Sequence, residues 1–274
     1  MARRHGSLTV VGIGIRAPEQ TTLEASSQIQ MAGEVYALVA NPLAEYWIRS
    51  LNENTHTLND LYSVNKDRQT TYREMVERIL GAVRKNRRVC AVSYGHPGAF
   101  AYPFHEAIRR ARKEGFSAEM LAGISAEACL FAELGVDPAV AGCRSYEATD
   151  FLVRRRGMDT TSSLILWQIG VIAEVGFKDQ SVAWNPKGLA VLTETLLEAY
   201  RNDHEVVVYE AARLPVCNSK IARIPLERLP QTAVGAMSTL YVPPMEEPDT
   251  DEAMLRRLGL VRSSGGSPAA SLTG

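Results

Sequence analysis

The segment Arg88–Ser93 is a short apolar run that breaks off into Tyr94-Gly95-His96-Pro97-Gly98. Two glycines and a proline so close together force a turn with an unusual path and free backbone groups. Ahead of the run, Arg68 to Lys85 reads as a helix. Tyr72, Met75, Ile79 and Val83 recur at helical spacing there, and charges fill the rest of the circumference. A helix feeding a buried strand that stops on a glycine loop belongs to a parallel α/β sheet, where ligands collect at the carboxyl ends of the strands. The alternation extends both ways. Ser7 to Ile15 predicts a β-branched strand running into a glycine turn, about Thr22 to Ala32 a helix, and Val35 to Ala40 a second strand. Pro42 to Arg49 reads as a turn and helix. His105 to Lys113 reads as a helix ended by Gly115, and Ala118 to Leu121 as the next strand.

The texture changes near Gly123. Ile124 to Val136 predicts a further helix, and Leu164–Ile169, Val206–Glu210 and Met237–Val242 are strands in a less regular order. These shifts divide the chain into an N-terminal α/β domain at 1–120, a second α/β domain at 121–244, and a tail at 245–274. The tail combines an acidic run, a short helix around Ala253–Leu260 and a small-polar, disordered stretch, Ser263–Gly274.

With 274 residues, 46% of them hydrophobic and 22% charged, the chain has enough apolar material for a sizeable core. A formal net charge of −1 gives no electrostatic footprint for nucleic acid. Cys90, Cys129, Cys143 and Cys217 form no C-x-x-C pair and the histidines no H-x-x-x-H pair, so neither a metal site nor a disulfide framework is expected. Reduced thiols fit a cytoplasmic protein. The apolar run near the start is too short for a signal peptide, and no stretch is long enough to span a membrane.

Three features carry chemistry. Gly12-Ile13-Gly14 follows the first strand, but Pro18 and Glu19 follow it and the full G-x-G-x-x-G pattern is absent, so it reads equally as a tight turn. Tyr94 to Gly98 ends a strand, and its histidine reads alternatively as a cap. Gly123-Ile124-Ser125-Ala126-Glu127 is a turn into a helix, with Ser125 at the cap and N–H groups open to a carboxylate or ribose hydroxyl.

Together these features resemble the tetrapyrrole methylase family of S-adenosylmethionine (SAM) methyltransferases. The resemblance runs from about residue 6 to 244 and includes Leu166-Trp167-Gln168, Tyr209-Glu210-Ala211-Ala212 and Met237-Ser238-Thr239-Leu240. The first loop departs from the family's G-x-G-P-G-D, having Gly12-Ile13-Gly14-Ile15-Arg16. That departure, and the segment from Tyr62 to Tyr72, look like one branch, the borosin peptide α-N-methyltransferases. Tyr94–Phe100, Gly123–Pro138, Tyr146–Phe151 and Ser238–Pro244 match the same branch.

The resemblance implies a two-domain tetrapyrrole-methylase fold, with a parallel-sheet N-terminal domain and a mixed-sheet C-terminal domain. It also implies SAM in a cleft between the domains, without metal, and S-adenosylhomocysteine as product. The cofactor would be lined by Tyr94, His96, Ala99 and Phe100 from the first domain, and by Ser125, Ala126, Gln168, Tyr209, Ala211, Ser238 and Thr239 from the second. The catalytic set would be Tyr62, Arg68 and Tyr72. Arg68 and Tyr72 stand four residues apart and share a helix face, which without the resemblance reads as a routine surface pair. The implied assembly is a homodimer. The sequence beyond Ser238–Pro244 lacks the apolar run of a core peptide, which points to a split arrangement with a separate precursor peptide as substrate. The rival readings are a methylase acting on a tetrapyrrole carbon and a SAM- or peptide-binding module without catalysis.

Overall fold

The computed structural model describes residues 5–39, 41–64, 66–174 and 186–260. The expectation for Ser263–Gly274 lies outside the described residues. Among these residues, 5–132, 174 and 211–219 pack as one compact unit, and 133–173, 186–210 and 220–260 as another.

The first unit holds β1 (Ser7–Gly12), α1 (Leu23–Met31), β2 (Glu34–Leu38), α2 (Pro42–Leu51), β3 (Thr55–Thr57), α3 (Arg68–Arg84), β4 (Arg88–Ser93), α4 (Tyr102–Lys113) and β5 (Ser117–Met120), and the start of α5 (Ala126–Leu134). Its sheet has the order β3-β2-β4-β1-β5 and every pairing is parallel. The strands read as continuous apolar runs because both faces are covered. Leu8, Val10, Val89 and Ala91 face one way, into Met75, Ile79, Val83, Phe104 and Ala107 of α3 and α4. Val11, Ile13, Cys90 and Val92 face the other way, into Ala25, Ile29, Ala44 and Ile48 of α1 and α2. Ile79 is fully buried in this packing. Ile79→Ala is expected to lower the unfolding free energy by about 2–5 kcal/mol. Urea titration measures it, and a loss below about 1 kcal/mol would show that α3 is not packed as described.

β1 and β4 are adjacent, yet the chain leaves β1 for β2 on one side and leaves β4 for β5 on the other. Their carboxyl ends are therefore the switch point of the sheet, where the crevice of an open α/β fold forms. β1 ends at Gly12, short of the predicted Ile15, because Gly14 takes φ +73° and pairs as an isolated bridge with Gly95, in the loop after β4. α4 starts at Tyr102 rather than His105, with Pro103 in its first turn, where a proline lacks no needed hydrogen bond.

The second unit contains α6 (Pro138–Ala141), β6 (Cys143–Glu147), α7 (Ala148–Val153), β7 (Ser163–Trp167), α8 (Pro186–Leu196), β8 (Glu205–Glu210), β9 (Lys220–Pro225), β10 (Thr239–Val242) and α9 (Glu252–Arg257). Its sheet has the order β6-β7-β10-β8-β9. β6 and β7 are parallel and the other pairs antiparallel, so the sheet is mixed. Leu164, Leu166, Val206, Val208, Leu240 and Val242 pack on Phe151, Leu189, Leu192 and Leu196. No described helix is long and apolar enough to cross a membrane.

Candidate functional site

The three loops singled out in the sequence meet at the switch point. A Cβ on Gly12 would stand 2.2 Å from the Gly95 carbonyl oxygen and 2.7 Å from Pro97 Cδ. One on Gly123 would stand 2.9 Å from that same oxygen and 3.0 Å from Gly12 Cα. Backbone thus lies on backbone at all three loops, which only glycine permits. The Gly95 N–H donates to Gly14 O at 2.8 Å, and Ile13 N–H to Ser93 O at 3.0 Å.

The loop after β4 is pinned from within. His96 Nδ1 accepts from the Gly98 N–H at 3.0 Å, the Ala99 N–H donates to His96 O at 3.1 Å, and His105 Nε2 lies 2.9 Å from Gly98 O. His96 therefore caps its own loop, the alternative that its place after the strand allowed. Phe100 follows with φ +52° and 57% exposure, so a bulky side chain holds a left-handed conformation without burial to offset the strain. Ser125 Oγ accepts from the Ala128 N–H at 3.0 Å, and Ala126 begins α5 behind this cap. Sequence reasoning missed Gln20 and Thr21. Gln20 Oε1 accepts from the Ile15 and Arg16 N–H groups at 2.9 and 3.0 Å, and the Thr21 hydroxyl donates to Ile13 O at 3.0 Å. The signal was available, since the N–H groups after a glycine turn need acceptors.

A second group gathers at the start of α3. Asp67 caps the helix, its carboxylate accepting from the Thr70 N–H at 2.8 Å, and Arg68 opens the first turn. A cation is electrostatically misplaced at a helix N-terminus, so Arg68 is not there for the helix's sake. Tyr62 and Tyr72 share a side-chain hydrogen bond that favours the protonated form of Tyr62. Burial pushes the Tyr62 hydroxyl well above the usual tyrosine range, with the neighbouring Tyr72 and Tyr94 adding to the rise and Arg68 opposing it. Tyr94 is also raised, first by burial and then by Tyr72, again with Arg68 opposing. The four side chains Tyr62, Arg68, Tyr72 and Tyr94 therefore lie within electrostatic reach of one another. Tyr94 sits directly behind β4, its N–H donating to Leu38 O at 3.1 Å, and so joins the glycine loops to this group. Tyr72 also lies against Tyr102, with ring centroids 6.1 Å apart.

In the second unit, Gln168, Tyr209, Ser238 and Thr239 collect at one end of the mixed sheet, while Ser125, Ala126 and Ala211, expected from the second domain, lie in the first unit. Gln168 follows β7 in a left-handed conformation, φ +61°. Ile169 N–H donates to Ser238 O at 3.1 Å, and Thr239 of β10 pairs with Tyr209 of β8. Ser238 is buried, and its hydroxyl accepts from the Gly235 N–H at 2.8 Å while lying 3.5 Å from Glu210 Oε2. Tyr209 is buried and donates to Glu133 Oε2 at 3.1 Å; Ala211 follows β8 in the chain. Among the described residues, no group of three or more His, Cys, Asp or Glu is placed to hold a metal.

The model of the Tetrapyrrole (Corrin/Porphyrin) Methylases matches residues 7–230. The chain is 42% identical over 263 residues to a methyltransferase/ribosomally synthesized cyclic peptide gymnopeptides precursor of Gymnopus fusipes, covering 94% of this chain and 62% of that protein. It is 40% identical over 260 residues to the corresponding omphalotin A precursor of Omphalotus olearius, covering 93% and 62%. Against a type III borosin cyclic peptide precursor of Anomoporia bombycina, identity is 40%, covering 95% of this chain and 30% of that protein. The chain thus spans less than two thirds of the length of these relatives. The uroporphyrin-III-C-methyltransferase of Thermus thermophilus shares the fold, with a TM-score of 0.61 at 16% identity, over 95% of this chain and 99% of that one. A cobalt precorrin-4 methyltransferase gives a TM-score of 0.58 at 17% identity, over 87% and 95%. The chain belongs to the tetrapyrrole methylase family, with borosin-type methyltransferases among its relatives.

Proposed function

We propose that this protein is a SAM-dependent methyltransferase that acts on backbone amide nitrogens of a ribosomal peptide, and that it accepts the peptide in trans. The grouping of Tyr62, Arg68, Tyr72 and Tyr94 beside the glycine loops supports this reading most strongly. Its relatives are named as methyltransferases joined to cyclic peptide precursors. Tyr94, His96, Ala99, Phe100, Ser125 and Ala126 of the first unit, and Gln168, Tyr209, Ser238 and Thr239 of the second, with Ala211, are the residues proposed to hold SAM. When bound, SAM supplies an electrophilic methyl group.

The protein's own task is the amide. Its nitrogen lone pair is delocalised into the carbonyl, so the nitrogen is a poor nucleophile until the N–H proton leaves and charge moves onto oxygen. Tyr72, acting as its phenolate, takes that proton and becomes the neutral phenol. Before the transfer, Tyr62, which stays protonated, donates to the phenolate oxygen, and the fixed charge of Arg68 supports it. Arg68 also steadies the imidate-like oxygen that develops on the peptide. Tyr94, held protonated by burial, closes the far side of the group as a donor.

Titration calorimetry in the presence of a chelator should show binding of SAM and of S-adenosylhomocysteine. Incubation with SAM and a precursor peptide should raise the peptide's intact mass in steps of one methyl group. Binding of neither ligand would remove the cofactor assignment; binding without peptide methylation would remove the substrate assignment. We also propose a homodimer. Light scattering should report about twice the 30.1 kDa chain mass, and a monomer at micromolar concentration would contradict it.

A further inference from the structure

The loop that carries Tyr62 is tied to α3 by two cations. Arg78 Nη1, on the helix, donates to Thr57 O at 3.0 Å and pairs with Asp60 Oδ1 at 2.6 Å. Lys66, on the loop, donates to Leu61 O at 2.9 Å and pairs closely with Glu74 on the helix. The front of the loop is fixed separately: Tyr62 N–H donates to Asn59 O at 3.1 Å, and Asn59 Nδ2 donates to Val39 O at 3.0 Å. Behind it, the Lys66 N–H closes a turn on Ser63 O at 3.2 Å.

The Lys66 tie stands out by its place. The carbonyl it holds belongs to the peptide unit that leads into Tyr62, and Glu74 lies two residues past Tyr72. One ammonium therefore spans the backbone of the first tyrosine and the helix of the second. Its value as a stabilising pair is small. The side chains of Lys66 and Glu74 are 23% and 42% exposed, and ion pairs in that setting add little to stability. Geometry is a different matter, because a displacement of about 1 Å at a reacting group can cost on the order of a hundredfold in rate.

We infer that Lys66 is a positioning residue, which holds the Tyr62 hydroxyl against Tyr72 by bridging the Leu61 carbonyl and Glu74. The inference rests on the reading of Tyr72 as the proton acceptor. Lys66 touches neither peptide nor cofactor in this account; it acts through Tyr62.

The test uses Lys66→Met, which keeps an unbranched chain but removes the charge and donors, and Lys66→Arg, which restores them. Lys66→Met should lower kcat for peptide methylation at least about tenfold. Its KM for SAM and its melting temperature should change little, and Lys66→Arg should recover most of the loss. A second readout needs no turnover. In protein labelled with 13C at tyrosine Cζ, with signals assigned through Tyr62→Phe and Tyr72→Phe, Lys66→Met should shift the Tyr62 and Tyr72 resonances and leave Tyr209 and Tyr241 in place. Unmoved Tyr62 and Tyr72 signals would overturn the inference, as would an unchanged kcat or a loss of kcat that simply follows melting temperature. A wild-type protein that fails to methylate any peptide would sink the functional reading alone, and the resonance shifts would still decide the role of Lys66.

Discussion

Tyr72→Phe is expected to cut peptide methylation at least about tenfold, which corresponds to about 1.4 kcal/mol of barrier. The substitution keeps the ring, and with it the packing on Tyr102 and the partly buried contact with the α3 core. What it removes is the phenolic oxygen, which as phenolate accepts the amide proton and shares a hydrogen bond with Tyr62. General-base help is typically worth about 10²–10⁴-fold, so tenfold is the lower edge of the expected loss. SAM affinity should stay close to wild type, because the proposed cofactor contacts lie elsewhere. Arg68→Lys should also be impaired: an ammonium keeps the charge but lacks the planar fork that can serve a phenolate and a peptide oxygen together. The measurement is methyl incorporation by mass spectrometry beside a binding titration. Near-normal methylation by Tyr72→Phe would take this tyrosine out of the chemistry and leave positioning as the main source of rate.

Gly12→Ala is expected to abolish measurable cofactor binding or weaken it at least about tenfold, since overpacking a rigid site typically costs about 1–3 kcal/mol. The new methyl would sit 2.2 Å from the Gly95 carbonyl oxygen, and the obstacle is backbone rather than a flexible side-chain end. Gly95 cannot yield easily, because it has φ +67° and its N–H is bonded to Gly14 O at 2.8 Å. The Gly12, Gly95 and Gly123 loops would have to separate together. Gly81→Ala is the internal control. A Cβ there meets nothing within 4 Å, in the middle of α3, so that variant should gain about 0.5–1 kcal/mol of stability and bind SAM normally. Calorimetry and thermal melts on both variants separate a closed glycine junction from a general intolerance of alanine. Normal SAM binding by Gly12→Ala would show that the junction does not shape the cofactor site.

The first sheet was legible because its physics is local. Strands covered on both faces read as unbroken apolar runs, such as Val89–Val92, and amphipathic helices such as α3 announce themselves by period. Six of the elements named above were not foreseen: β3, β6, α6, α7, α8 and β9. β3 has three residues, and its place beside β2 is set by pairing rather than by pattern. β9 is an edge strand exposed along nearly its whole length, and Lys220, Arg223 and Pro225 in it are residues that protect an edge and hide its period. β6 is the opposite edge, and Arg144 and Glu147 dilute its apolar signal. Within the candidate site, the glycines and the pair Arg68 and Tyr72 were readable, since each carries its own local signature. The place of Tyr94 beside Tyr62 and Tyr72 was not, because it depends on α3 packing against β4 across the sheet. Gln20 escaped for the same reason: its task appears only once the Gly12–Arg16 turn has a shape.

The central claim is the atom that receives the methyl group. Wild-type protein, SAM carrying a heavy-isotope methyl and a precursor peptide free of Lys, Arg and His isolate it, because no nucleophilic basic side chain then competes. Tandem mass spectrometry of the product should place the label on backbone nitrogens, with fragment masses stepping at the methylated amide and unmodified side-chain ions. Label confined to side chains or to the peptide's amino terminus would contradict the account, as would an unlabelled peptide in a reaction where the protein demonstrably binds SAM.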